Sequence, residues 1–326
     1  MPDQPPPTIS LIIPCFNCGS LLRQTLESAA AQKMGGGKRL ETLIVDDGST
    51  DDSVAVISQF LDYHPDFCGT LLRHPTNAGV AVARNTGIQA ASGEFLMFLD
   101  ADDALAPDCC QRLLELQSQT HADIAACNAL HLKQDHRPSI VYPQAHGRHV
   151  FPGSTLPEQS DCHALCETCW AKLYRRELIV SQHLLFRPGL GFGEDTLFAH
   201  IAVLAASRVA IDFDYCGYLY RDNQTSCINT SNLQKRLVSL EQVLLGLSET
   251  LGSGNSPLLL RKSCEFLWTL RKFGRGQERL QQLKLLLATP LWHDIILPTI
   301  TAHGKPKHRL CAWLLRHHCL PAIYAW

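Results

Sequence analysis

Apolar positions along the first hundred residues alternate between two rhythms. Short β-branched or aliphatic runs at 8–14, 40–45, 70–73 and 94–99 read as buried strands. The stretches between them, 20–32, about 53–61 and 78–91, carry the 3.6-residue spacing of amphipathic helices, and Pro107 suits the first turn of another. Each strand feeds a helix, which predicts a mostly parallel sheet with ligands bound outside the strands' carboxyl ends. The fold class expected is α/β, a Rossmann-like sheet flanked by helices.

Beyond Gln119 the rhythm changes. Residues 122–130 read as a strand, 133–160 as an irregular connection, and 170–173, 209–213 and 215–220 as short strands around one helix at 195–205. From about Leu233 the segments are long, Leu-rich and helical in spacing, interrupted at 252–257. The pattern predicts an α/β domain over 1–226, with halves 8–105 and 106–226, and a helical C-terminal region over 227–326.

Composition narrows the class. The chain has 326 residues, 45% hydrophobic and 18% charged, which excludes a disordered chain. Twenty-nine basic against 31 acidic side chains give a net charge of -2, so no overall field favours nucleic acid as a partner. No run reaches the roughly 18 apolar residues of a membrane span, and the N-terminus has no signal-peptide pattern. A cytoplasmic location is therefore expected, with the 14 cysteines as free thiols and the Asn223 and Asn229 sequons silent. The C-terminal segment interleaves Lys305, Lys307, Arg309 and Arg316 with Leu310, Trp313 and Leu314. Its apolar side either packs on the catalytic domain or lies peripherally in an anionic membrane surface.

Three acidic turns sit where a parallel sheet binds ligands. Asp46 and Asp47 end the second strand ahead of Gly48. A helix cap accounts for Asp51 or Thr50 but not for this pair, which can accept the N–H of a uracil or the hydroxyls of a ribose. Asp100, Asp102 and Asp103 follow the most hydrophobic strand. Clustered like charges call for compensation, which Mg²⁺ or Mn²⁺ bridging a diphosphate would supply, while Asp103 is placed to cap the next helix. Glu194 and Asp195 follow a Gly-rich loop and offer either a helix cap or a general base. Gly79 allows close backbone approach to a ligand, and Arg84 can brace the acids or meet phosphate. Cys162, His163, Cys166 and Cys169 crowd together, but their spacing fits no usual zinc site.

The ordered set TISLIIPCFNCG, VDDGSTDDS, NAGVAVARNTG and GEFLMFLDADD resembles the nucleotide half of family 2 glycosyltransferases, which have the GT-A fold. CWAKLYRRE, FGED and YRDNQTS resemble the acceptor half of bacterial members that build polysaccharides or glycolipids. The resemblance covers about residues 8–226. It implies an inverting, metal-dependent transfer from a nucleotide-diphosphate sugar, chiefly a UDP-sugar, to a saccharide or lipid-linked acceptor. It implies Pro14, Asp46, Asp47, Gly79 and Arg84 at the nucleotide, Asp100 and Asp102 at the metal, and Asp195 as base with Glu194 in reserve. Trp170 and Lys172 fall where acceptor or phosphate contacts belong. A nucleotidyltransferase is the alternative enzyme, but a basic Gly-rich loop is expected after its first strand, where this chain has Cys15-Phe16-Asn17-Cys18. A non-catalytic scaffold would have no need of all the acidic turns.

Overall fold

A computed structural model describes residues 7–19, 21–133, 137–153, 167–190, 192–222, 233–251, 257–271, 285–304 and 309. By its internal contacts the chain divides into two compact units. One is Met1–Gly189 with Phe198–Gln224, and the other is Leu190–Leu197 with Thr225–Trp326.

The first unit is built on one mixed sheet. Strands β1 (Ile9–Cys15), β2 (Leu40–Asp46), β3 (Gly69–Arg73) and β4 (Phe95–Phe98) run parallel in the order β3-β2-β1-β4. β1 and β4 are buried along their whole length, as continuous aliphatic runs dictate. Helices α1 (Leu21–Ala30), α2 (Ser53–Tyr63) and α3 (Val80–Ala90) fill the connections. α1 buries Leu22, Thr25, Leu26 and Ala29, a single stripe at helical spacing.

The second half departs from the parallel expectation. It contains β5 (Ala104–Leu105), α4 (Cys109–Thr120), β6 (Ile124–Leu132), β7 (Ser139–Ile140), β8 (Arg148–Phe151), β9 (Lys172–Arg175), α5 (Arg176–Ser181), β10 (Val209–Arg221) and the part of α6 (Glu194–Ala205) from Phe198 onward, the start of that helix belonging to the other unit. The order continues β4-β9-β6-β10-β5. β9 is antiparallel to both β4 and β6, an arrangement that needs no crossover helix, whereas β6 and β10 are parallel. β7 and β8 occupy part of the region expected to be irregular, pairing at the margins with β6 and β10. β10 is one strand rather than two. Register shifts between Asp212 and Tyr218 break its alternation and account for the apparent gap in the sequence.

The second unit is helical among its described residues. α7 (Leu233–Leu251) and α8 (Pro257–Arg271) pack together, and a π-helical turn at Leu291–Ile296 leads into α9 (Leu297–His303). α7 buries Leu237, Leu240, Val243, Leu244 and Leu247 along one stripe. No helix among the described residues is long and apolar enough to cross a membrane. Cys162, His163, Cys166, the two sequons and nearly all of the basic C-terminal segment lie outside the described residues.

Candidate active site

Two loops at the carboxyl ends of β1 and β2 are stitched into one surface. The register sets Cys15 beside Asp46, and the Asp47 N–H donates to the Cys15 carbonyl at 2.8 Å. Asn17, held at φ 51°, accepts the Thr50 and Asp51 N–H groups at 2.8 and 3.3 Å, while its own N–H donates to Ser49 Oγ. The Asp51 carboxylate accepts the N–H groups of Ser53 and Gly19 at 3.0 and 3.2 Å. Burial raises the Asp51 pKa, but the bonds from Ser53 and Gly19 outweigh it and leave the carboxyl below its usual range. Gly48 has φ +74°, and a Cβ there would lie 2.6 Å from the Thr76 backbone, so the Gly is required on both counts. Pro14 is buried in β1 and pairs in register with Val45.

The two carboxylates at the end of β2 have different fates. Asp47 Oδ1 accepts the Ala78 N–H at 3.0 Å and Oδ2 accepts the Gly79 N–H at 2.7 Å, so it grips the start of α3, where anionic charge is favoured. His74 Nδ1 is 2.7 Å from the same carboxylate, and its Nε2 is 2.9 Å from Thr86 Oγ1. Asp46 is fully buried. Its Oδ1 accepts the Ser49 N–H at 3.2 Å, but Oδ2 has no hydrogen-bond donor, the exposed Arg73 guanidinium standing 3.6 Å away. A buried oxygen left in this state is costly unless a ligand completes it.

The turn after β4 divides its acids in the same way. The Asp103 N–H donates to the Asp100 carbonyl at 3.0 Å, which closes the segment into a turn. Asp103 does not cap α4. It is buried, accepting the Tyr218 hydroxyl at 2.6 Å and the Arg221 N–H at 2.8 Å. Burial, with Asp100 and Asp102 adding repulsion, pushes its carboxyl well above the usual range. Asp100 Oδ1 accepts from Arg84 at 2.8 Å, and that guanidinium lies 5.1 Å from the centre of the Phe186 ring. Arg84 is buried, bracing the acidic turn from beneath. Asp102 is half-buried.

Among the described residues no group of three or more His, Cys, Asp or Glu side chains could hold a metal ion alone. Two carboxylates, Asp100 and Asp102, with oxygens from a diphosphate and water, suit the oxygen-rich and partly substrate-borne shell of Mg²⁺ or Mn²⁺. The donor set therefore fits such a cation.

Trp170 and Lys172 are both buried. The Lys172 ammonium is buried and donates to the Thr168 and Trp170 carbonyls at 2.8 and 3.0 Å, so it orders a turn rather than presenting charge to a phosphate. Trp170 stacks on Tyr218, with ring centres 4.4 Å apart. Glu194 and Asp195 form the first turn of α6 after Gly193 at φ 84°. Glu194 is buried, and Asp195 Oδ1 accepts the Thr196 N–H at 2.7 Å. Sequence reasoning missed Asn17, His74 and Tyr218, whose parts depend on partners remote along the chain.

Comparisons with known proteins bear on the family and the fold. The family model described as glycosyl transferase family 2 matches residues 10–180. A Bacillus subtilis relative, the uncharacterised glycosyltransferase EpsJ, is 33% identical over 225 residues, covering 68% of this chain and 62% of the relative. The match thus spans less than two thirds of that relative's length. Among solved structures, S. aureus TarS 1-349 in complex with UDP-GlcNAc is 18% identical with TM-score 0.68, covering 97% of this chain and 92% of that one. A Pyrobaculum calidifontis mannosyltransferase in complex with GDP-Man and Mn²⁺ is 17% identical with TM-score 0.56, covering 100% and 88%. Both share the fold.

Proposed function

This chain belongs to glycosyl transferase family 2, and we propose that it transfers a sugar, with inversion, from a UDP-sugar to a hydroxyl of a saccharide or lipid-linked acceptor. The observation that carries the reading is the buried Asp46 Oδ2, an acceptor lacking a donor at the carboxyl end of β2. An imide N–H or a ribose hydroxyl would satisfy it. The relatives' printed names and the UDP-GlcNAc bound to a neighbour of the same fold support the substrate class.

Each region then has one task. Asp46 receives the nucleoside, on a floor that Asn17, Ser49 and Asp51 keep rigid. Asp47 holds the start of α3 so that the Gly79 backbone can lie against the ligand. Asp102 and Asp100 would hold a divalent cation. When bound, that ion supplies charge stabilisation to the departing diphosphate. Arg84 keeps Asp100 oriented. Asp195 takes the proton from the acceptor hydroxyl as it attacks the anomeric carbon, with Glu194 as the second candidate.

The test is release of nucleoside diphosphate from a panel of UDP-, GDP- and dTDP-sugars with Mn²⁺ or Mg²⁺. Consumption of a UDP-sugar that stops on adding chelator is the expected result. Failure of every donor in the panel to bind or turn over would overturn the reading.

A further inference from the structure

The chain leaves β1 through Cys15-Phe16-Asn17-Cys18, a Cys-x-x-Cys spacing inside a β–α unit. The donor site described above leaves both sulfurs without a task. The backbone brings them together. Asn17, at φ 51°, turns the chain back after Phe16, and the Phe16 N–H donates to Cys18 Sγ at 3.3 Å. The Cys18 N–H is held by Ser53 Oγ at 3.0 Å. Within this turn the two thiols hydrogen-bond each other. The Cys15 thiol is held below its ordinary range, first by the bond from Cys18 and then by those from Ser53 and Ser49, which together outweigh burial. Cys18 is pushed up by the same bond and then by burial. Cys15 is buried and Cys18 is partly exposed, so a sulfur that favours the thiolate lies behind one that a reagent can reach. The Cys109 and Cys110 thiols are different. Both are buried and pushed up, Cys109 first by its bond with Cys127 and Cys110 by burial to about 12, which keeps them inert.

The pair stands among the groups of the donor site. Cys15 feels the charge of Asp46, and Cys18 that of Asp102. The same loop holds its neighbours in place: the Cys15 carbonyl accepts the Asp47 N–H, Asn17 accepts from Thr50 and Asp51, and the Gly19 N–H donates to Asp51. An S–S bond of about 2 Å in place of a hydrogen-bonded contact draws Cys18 toward Cys15. Asn17 and Gly19 flank the residue that moves, so their bonds to the turn after β2 are strained or lost.

We propose that Cys15 and Cys18 form a thiol–disulfide exchange site, oxidised by a low-molecular-weight disulfide, and that closing their bond weakens nucleotide binding at the adjoining donor site. The second half rests on the glycosyl-transfer reading, and the first does not. Exchange begins at the accessible Cys18, whose sulfur attacks one sulfur of the reagent RSSR and expels RS⁻, leaving a mixed disulfide. Cys15 then attacks Cys18 Sγ, breaks the mixed bond and expels the second RS⁻. Each expelled thiolate takes up the proton that its attacker gives up. Two protein thiols and one RSSR thus become one internal disulfide and two RSH, with two electrons passing from the protein to the reagent.

The experiment equilibrates the full chain with reduced and oxidised glutathione at a series of ratios, quenches by alkylation and maps the digest by mass spectrometry. Both cysteines lie in the tryptic peptide ending at Arg23. That peptide should lose both alkylation sites and weigh two hydrogens less, with the exposed Cys68 as the reference for a single thiol. UDP should bind the oxidised protein about tenfold more weakly than the reduced, with recovery in dithiothreitol. Cys18→Ser is made at a partly exposed position, and its hydroxyl can still accept the Phe16 N–H. It should bind UDP within about threefold of the reduced wild type and lose the response to glutathione; the reversible wild-type change carries the test if that variant does not fold. A peptide that stays reduced, or that stops at a mixed disulfide with glutathione, would overturn the exchange site. Complete disulfide with unchanged UDP affinity, or a glutathione response that persists in Cys18→Ser, would overturn its hold on the donor site. UDP binding by neither redox state would sink the glycosyl-transfer reading and the second half with it, while the exchange site would stand on its disulfide.

Discussion

The turns after β2 and after β4 solve the same electrostatic problem in parallel. Each gathers adjacent or near-adjacent acids at a strand end, and each spends one of them inward. Asp47 is consumed by the start of α3, and Asp103 by Tyr218 and Arg221. Asp46 Oδ2 in the first turn and Asp102 in the second differ in kind. The first is a fully buried acceptor suited to a neutral donor, and the second is a half-buried carboxylate beside another acid, suited to a cation. An acidic motif is therefore half scaffold and half chemistry, and substitution separates the two.

The largest effect should come from Asp102→Asn. Transfer should fall about 10³-fold, and the metal dependence of nucleotide binding should vanish, with the melting temperature shifted by no more than about 2 °C. Titrating UDP with and without Mn²⁺ measures this, and a variant still active in chelator would remove the cation from the second turn. Next, Asp195→Asn should reduce kcat about 10²-fold while donor affinity holds, because a base acts on the acceptor. An equal loss from Glu194→Gln alone would move the role to that neighbour.

On the scaffold side, Asp47→Ala should cost about 1–3 kcal/mol by leaving two helix-start N–H groups without their acceptor. Denaturant unfolding reads that loss. Asp46→Asn should instead leave stability nearly unchanged and weaken UDP about tenfold. If these two phenotypes came out exchanged, the division of labour in the first turn would be reversed.

The smallest effect concerns pH. The Asp103 carboxyl sits well above its ordinary range, chiefly through burial, so the folded protein holds that proton more tightly than the unfolded chain does. Its stabilising contribution is complete below the unfolded value of about 4 and declines as pH rises toward the folded one. Asp103→Asn should abolish that decline. Melting temperatures of wild type and variant should agree most closely near pH 4 and separate as pH rises, the wild type alone declining.

The first four strands and their helices were legible because continuous aliphatic runs and helical stripes need no distant partner. β9 is central in the sheet, between β4 and β6, yet Lys-Leu-Tyr-Arg is short and carries charge at both ends. Nothing in so short a run tells that Lys172 is buried. The two-residue strands β5 and β7 have no periodicity to read. In the site, acids at strand ends were visible as a class, but which one turns inward was not. The partners of Asp103 lie 115 and 118 positions away, and those of Asp47 lie 27 to 32 positions away.

The antiparallel placement of β9 also sets an order of events during synthesis. β4, the wholly apolar Phe-Leu-Met-Phe, is paired on one side by β1 as soon as that half collapses, but its other edge is closed only by residues 172–175. Until the ribosome has released those residues, the nascent chain carries an uncovered hydrophobic strand edge, the feature that templates intermolecular pairing. A chain stopped before Lys172 would keep the acids of both turns and still be poorly soluble, so the shortest soluble fragment should extend through Arg175.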